Sequence, residues 1–268
     1  MPSVREAFVD GLFYPAAPAG LRAQVVDYLA NVGAVDVVGR TPKLLIAPHA
    51  GYEYCGAVAA HAYALLGRWR EPIVRRVVLL GPAHRVALGG LAAPNAEAVE
   101  TPVAEVAVDR AALAGLDDLP QVARSDRVHE HEHSLEVQLP FLQTQLGSFT
   151  LVPLVVGDAD AEAVAQVLER LWGGDETLIV ISSDLSHYLR YEQARAADQR
   201  TVQRILAFDA GLRPHEACGA AAINGALVAA RRHRLAPRLL ALCNSGDTAG
   251  DRDRVVGYGA IAFEEAWR

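Results

Sequence analysis

The chain has little that would take it out of a reducing, aqueous setting. Its 268 residues include only three cysteines, Cys55, Cys218 and Cys243, an odd count without paired spacing, which argues against a disulfide framework and fits a reducing compartment. No uncharged apolar run approaches the roughly 20 residues that a membrane-spanning helix needs. The opening stretch "MPSVREAFVDGLFYP" brings in acids early and lacks the continuous apolar core of a signal peptide. A cytoplasmic protein with no membrane engagement is therefore expected. Basic residues are also short: 25 Lys plus Arg against 32 Asp plus Glu leave a net charge of −7, the wrong sign for a nucleic-acid partner, because phosphates are held mainly by basic surface. The densest basic cluster, "RRHR" at 231–234, falls at the tail of a helix-like segment and reads as last-turn cations complementing the helix dipole. Phosphate-cradling glycine loops, a G-x-S-x-G elbow, fixed-period repeats and low-complexity tracts are all missing.

What the chain does have is core. Half of it, 51%, is apolar and 21% is charged, enough for a large interior. Six runs are apolar almost throughout: "LLIA" at 44–47, "VVLLG" at 77–81, "LVPLVVG" at 151–157, "LIVIS" at 178–182, "LLALC" at 239–243 and "VVGYGAIAF" at 255–263. Runs without alternation predict strands buried on both faces. Helical spacing separates them in "GAVAAHAYALLG", "HSLEVQLPFLQTQL", "DADAEAVAQVLERLWG", "QARAADQRTVQRILAF" and "AAINGALVAARRHR". The alternation predicts an α/β fold: a central, largely parallel or mixed sheet flanked by helices, in one domain spanning residues 1–268. Residues 85–128 are less regular and read as a short strand pair or excursion inserted on the sheet.

Open α/β sheets bind ligands beyond the carboxyl ends of their strands. At those ends the sequence places His49, then His84, then Ser183, Asp184, Ser186 and His187, then Asn244, Ser245, Asp247 and Thr248. Neutral imidazole and carboxylate are the usual ligands of a divalent first-row metal, and an unligated histidine nearby suits proton transfer near neutral pH. Each histidine also has a plainer reading as a satisfied loop or core residue, and spacing alone does not decide between that and a shared site. His61, on a helix, takes the plainer reading. In "VHEHEHSLE", His129 and His133 stand four apart and would share a helix face, yet an exposed acidic loop leading into a helix accounts for His129 and His131. Cys55 and Cys243 could bind a soft metal or be redox-active; Cys218, ahead of "GAAAING", reads as inert packing.

"APHAGYEYCG", "LLGPAH", "EHSLEVQLPFL", "VISSDLSHY" and "VVGYGAIAF", together with "FVDGLFYP" and "NSGDTAGD", stand in the order found in the Memo family, also called AmmeMemoRadiSam system protein B. The chain resembles that family along essentially its whole length. The family is similar in fold to class III extradiol dioxygenases, which use non-haem Fe(II). The resemblance implies that His49 and His84 bind metal and that Asp184 and His187 stand beside them, His187 as proton shuttle oriented by Asp184. It also implies that His133 lies near the pocket as a further catalytic candidate. The third ligand, a cysteine in animal members, aligns with Thr248, and Asp247 beside it could supply an oxygen. Tyr52, Tyr54, Cys55 and Cys243 are candidate pocket walls, and Gly51 would allow a tight turn. The implied cofactor is Fe(II) or copper, with zinc as a third option, serving an oxidoreductase that acts on a small molecule or peptide. The family name implies a functional link to a radical-SAM protein. Two other functions fit the same residues: a peptide- or small-ligand-binding module without chemistry, and a metal-assisted hydrolase.

Overall fold

Apolar runs become strands here because helices cover both faces of the sheet they build. The computed structural model describes residues 3–33, 41–67 and 73–265. The strand Leu44–Ala47 pairs in parallel with Thr177–Ser182, which pairs in parallel with Arg76–Pro82, itself parallel to Thr150–Val156. In these four strands every position except Arg76 and Thr150 is buried. The sheet is mixed overall. Val255–Glu265 runs antiparallel to the Leu44 strand and carries two antiparallel neighbours, His187–Leu189 and Leu235–Asn244. At the other end Leu91–Ala93 adds antiparallel to the Thr150 strand and takes Val122–Arg124 alongside it.

The irregular stretch 85–128 thus supplies two short strands to the main sheet. It also supplies the hairpin Ala98–Glu100 and Glu105–Ala107, which joins Val4–Arg5 in a separate three-stranded sheet. The long predicted helix over 133–146 is two pieces, His133–Glu136 and Leu139–Leu146, the second with Pro140 in its first turn, where proline's missing N–H and fixed φ are tolerated. No helix among the described residues is long and apolar enough to cross a membrane.

The N-terminal segment is tied down by one buried acid. Glu136 accepts hydrogen bonds from the Phe8 and Val9 amides at 3.0 Å, and from the Arg5 guanidinium and the Tyr14 hydroxyl. Because Glu136 lies on the same short helix as His133, this anchor carries Phe13 onto the His133 ring, 4.9 Å between centroids.

Candidate metal centre

The Leu44 and Arg76 strands lie on either side of the Thr177 strand. All three point the same way, so His49, His84 and Asp184 emerge at one edge. The His49 and His84 rings are 5.1 Å apart and nearly perpendicular. Cys218 joins them from the turn ahead of helix Ala220–Arg232, its Sγ 3.3 Å from His49 Nε2. His49, His84 and Cys218 each offer a ligand atom, and all three atoms lie within 4.8 Å of one another.

Close packing puts Cys218 there. Helix Ala220–Arg232 rests on the Arg76 and Thr177 strands, and its leading residue Gly219 closes onto the strand end. A Cβ at Gly219 would stand 2.7 Å from Ser183 Cβ and 2.9 Å from the Ser182 carbonyl oxygen. The Gly219 amide donates to Ser183 Oγ at 2.9 Å and the Cys218 amide to the Asp184 carbonyl at 3.2 Å. Gly81 does similar work at the neighbouring strand, where a Cβ would stand 2.6 Å from Ser134 Oγ; its absence lets the His133 helix approach. Gly51, by contrast, has φ −56°, and a Cβ there would meet nothing closer than 3.6 Å, so the turn does not require glycine.

The tautomer of His49 follows from its partners. Its Nδ1 is 2.9 Å from Ser182 Oγ, which donates its own proton to the Ser134 carbonyl and accepts from Gln138 Nε2 at 2.8 Å. Ser182 can therefore only accept from the imidazole, so Nδ1 carries the proton and Nε2 presents a lone pair toward Cys218. Burial, then the neighbouring His84, His133 and His187, hold the His49 pKa well below its ordinary value, and the ring is neutral. Burial pushes the Cys218 thiol up to about 12, with the Asp184 charge adding to it.

His84 is held through Nδ1 by Glu132 Oε1 at 2.9 Å. His133 stacks on it, 4.7 Å between centroids, and meets His49 edge-on at 5.5 Å. Burial lowers the His133 pKa to about 4 against the opposing pull of Glu132. His187 donates from Nδ1 to the Leu185 carbonyl at 2.9 Å, leaving Nε2 unprotonated; burial lowers its pKa, and charge on His84 lowers it further.

Several expected roles are placed differently. Asp184 does not orient His187: its Oδ1 accepts from the His49 backbone amide at 2.8 Å, shaping the turn that presents His49, and burial raises its carboxyl to about 7. Asp247 joins neither cluster of candidate ligand atoms among the described residues, and the side chains of Asp247 and Thr248 are spent on other partners. They follow the Leu235 strand, which is separated from the Leu44 strand by the Val255 strand, a lateral offset of about 10 Å at the usual strand spacing. Asp247 Oδ2 accepts from the Asn244 amide at 3.0 Å while Oδ1 accepts from Tyr191, and Thr248 Oγ1 donates to the Tyr54 carbonyl at 3.0 Å. Tyr52 and Cys55 are core residues rather than pocket walls, bonded to the Val137 and Ala50 carbonyls. Tyr54 is half-buried. Cys243 is also half-buried, on the Leu235 strand.

Two residues escape sequence reasoning. Cys218 was expected to be inert, and its only signal is a lone thiol one residue before a glycine at a helix start. Glu132 lies in a stretch that reads from sequence as an exposed acidic loop leading into a helix, with no role at the site. It is buried, as is His129, while Glu130 and His131 are exposed; its one legible cue is that it caps the His133 helix, accepting from the Ser134 amide. The donor set suits a metal: the imidazoles of His49 and His84, the former neutral with its Nε2 lone pair free, and a thiol that becomes a ligand on losing its proton.

Comparison with known proteins agrees along the whole chain. Residues 5–262 match the family described as Memo-like protein. A MEMO1 family protein of Methanopyrus kandleri is 34% identical, the alignment covering 97% of this chain and 98% of that one. Another from Aeropyrum pernix is 40% identical, over 96% of this chain and 99% of that one. Among solved structures, an uncharacterized protein from Escherichia coli K12 aligns with a TM-score of 0.48 at 13% identity, covering 82% of this chain and 99% of that one, a likeness too slight to bear on function.

Proposed function

The chain belongs to the Memo family, and on that premise we propose that it is a metal-dependent oxidoreductase in which His49, His84 and Cys218 hold iron or copper. The observation that supports this most is the approach of Cys218 Sγ to within 3.3 Å of His49 Nε2, in a set that includes His84. A thiolate beside imidazoles suits these metals, and the bound ion would supply redox chemistry toward dioxygen or substrate at its open positions. The chain's own residues do the rest. Ser182 keeps His49 Nε2 deprotonated for ligation, and Asp184 fixes the turn that carries it. His187, neutral near pH 7 and anchored through Nδ1, accepts a proton at Nε2 from substrate and returns it. His133, with its depressed pKa, is a second neutral imidazole in the same cluster. A cavity of about 450 Å³, lined in part by Pro82, Asp158, Leu212, Cys218 and Ala222, has room for a small organic substrate.

Elemental analysis of untagged protein, as purified and after supply of Fe(II), copper or zinc, tests the centre. Wild type should hold one ion per chain, and Cys218→Ala and the His49→Ala/His84→Ala pair should hold almost none. Oxygen uptake with catechol-like compounds then tests the chemistry. Hydrolysis without oxygen uptake would replace the oxidoreductase with a metal-assisted hydrolase. Failure of the wild type to retain any supplied ion would leave a binding module.

A further inference from the structure

The two histidines of the centre are held by unlike partners. His49 sits in a neutral, fully buried hydroxyl and amide network; His84, whose side chain is 28% exposed, leans on a carboxylate. Glu132 grips His84 twice, Oε1 to the ring Nδ1 at 2.9 Å and Oε2 to the backbone amide at 2.7 Å. A third donor, the Ser134 amide at 2.9 Å, locks the carboxylate itself. We propose that Glu132 is a positioning residue for the metal centre, fixing the ring and the tautomer of His84 so that its Nε2 lone pair is the one left free for ligation. This inference rests on the metal reading above.

The chemistry follows from charge. A carboxylate at Nδ1 pins the tautomer with the proton on that nitrogen and raises the donor strength of the other, which a neutral hydroxyl does far less. The Glu132 oxygens accept from the His84 ring, the His84 amide and the Ser134 amide, and the two amides can only donate, so the carboxyl is held as an acceptor. Glu136, four residues on, is just as buried but spends its oxygens on Arg5, Phe8, Val9 and Tyr14 and touches no histidine. It therefore serves as an internal control for the loss of a buried acid. The rival role for Glu132 is direct ligation, since His84, Glu132 and His133 also offer ligand atoms within 4.8 Å of one another. That role would sacrifice the Nδ1 bond and create a second metal position.

Full-length wild type, Glu132→Gln and Glu136→Gln should be titrated with Co(II) against a competing chelator, following the thiolate-to-cobalt absorption. Wild type should take up one equivalent. Glu132→Gln should keep the thiolate band but bind about 10–100-fold more weakly, while Glu136→Gln melts at lower temperature with unchanged cobalt affinity. Affinity of Glu132→Gln within about threefold of wild type, against the tenfold or greater loss typical of such partners, would overturn the inference. So would a wild type that binds two equivalents and loses one in this variant, which would make Glu132 a ligand. Should Glu132→Gln not fold, nitrogen NMR of the metal-free wild type decides: His84 protonated at Nδ1 supports the assignment and protonation at Nε2 overturns it. A wild type that binds no cobalt, with Nδ1 protonated, removes the metal reading and the positioning role with it.

Discussion

Replacing Gly219 with alanine drives a methyl group into the end of the Thr177 strand. The backbone at 219 has φ −88° and ψ 24°, a conformation alanine adopts readily, so the cost is steric and not torsional. The added carbon would lie 2.7 Å from Ser183 Cβ, 2.9 Å from Ser183 Oγ and 2.9 Å from the Ser182 carbonyl oxygen. Ordinary contacts to carbon begin near 3.5 Å, so the helix start must retreat by roughly 0.6–0.8 Å. Ser182 and Ser183 cannot give way, because both are fully buried and Ser182 is bonded to His49, Gln138 and Ser134. The relief therefore falls on the Cys218–Ala220 turn and pulls Sγ away from His49. Overpacking of this kind costs about 1–3 kcal/mol, equivalent to a melting temperature lower by about 2–12 °C in a chain of this size. Metal affinity should fall about tenfold or more, in line with other disturbances of ligand support. Thermal unfolding of the metal-free protein and cobalt titration of the same preparation give the two readouts. A Gly219→Ala protein within about 0.5 kcal/mol of wild type, the range of an innocuous surface change, and with undiminished metal binding would refute the close-packed placement of Cys218.

Other outcomes follow from the same contacts. Asp247→Asn and Thr248→Val should leave metal content at the wild-type level, whereas Cys218→Ser should lower it; Asp247→Asn should still cost about 1 kcal/mol through the cap it makes with Asn244. Glu136→Ala strands Arg5 and the Phe8 and Val9 amides, and should cost about 3–5 kcal/mol by urea denaturation, with amide exchange accelerated first over residues 5–14. His129 gives the pH dependence. Burial lowers its pKa from 6.5 to about 4, and its Nε2 donates to the Ala92 carbonyl at 2.9 Å, so the folded state prefers the neutral ring. That preference stabilises the fold fully above pH 6.5 and is lost as pH falls toward 4, worth about 3 kcal/mol at 1.36 kcal/mol per unit. His133, lowered to about 4 as well, and the lowered His49 and His187 add to the slope, so His129→Gln should make the profile shallower over that window without abolishing it; an unchanged slope would remove His129 from the set.

How far the site could be read from sequence depended on which geometric step each residue required. Most strands were legible because burial on both faces leaves unbroken apolar runs, although the run at 239–243, expected to be buried on both faces, lies half-exposed at the sheet edge beside the Val255 strand; His49 and His84 were legible because parallel strands must present their carboxyl ends at one edge. Thr248 was expected at the site because its strand reaches that same edge, but it does so through two antiparallel additions and its hydroxyl is spent on the Tyr54 and Ser245 carbonyls; direction survives two reversals, sideways position does not, and nothing in local pattern encodes sheet order. Cys218 was missed for the complementary reason. It lies 169 residues from His49, on no strand, and reaches the edge only because a helix packs across the Arg76 and Thr177 strands with a glycine at its leading end. Glu132 shows a third kind of gap: a carboxylate in "HEHEH" has the composition of a solvated loop, and becomes a buried group only once His84, 48 residues earlier, is folded against it. Side-chain clusters assembled by a packed helix, and a carboxylate buried against a histidine from a distant strand end, are therefore where strand-end reasoning fails. A glycine at a helix start beside a lone cysteine, or an acid capping a histidine-bearing turn, is the local trace such assemblies leave.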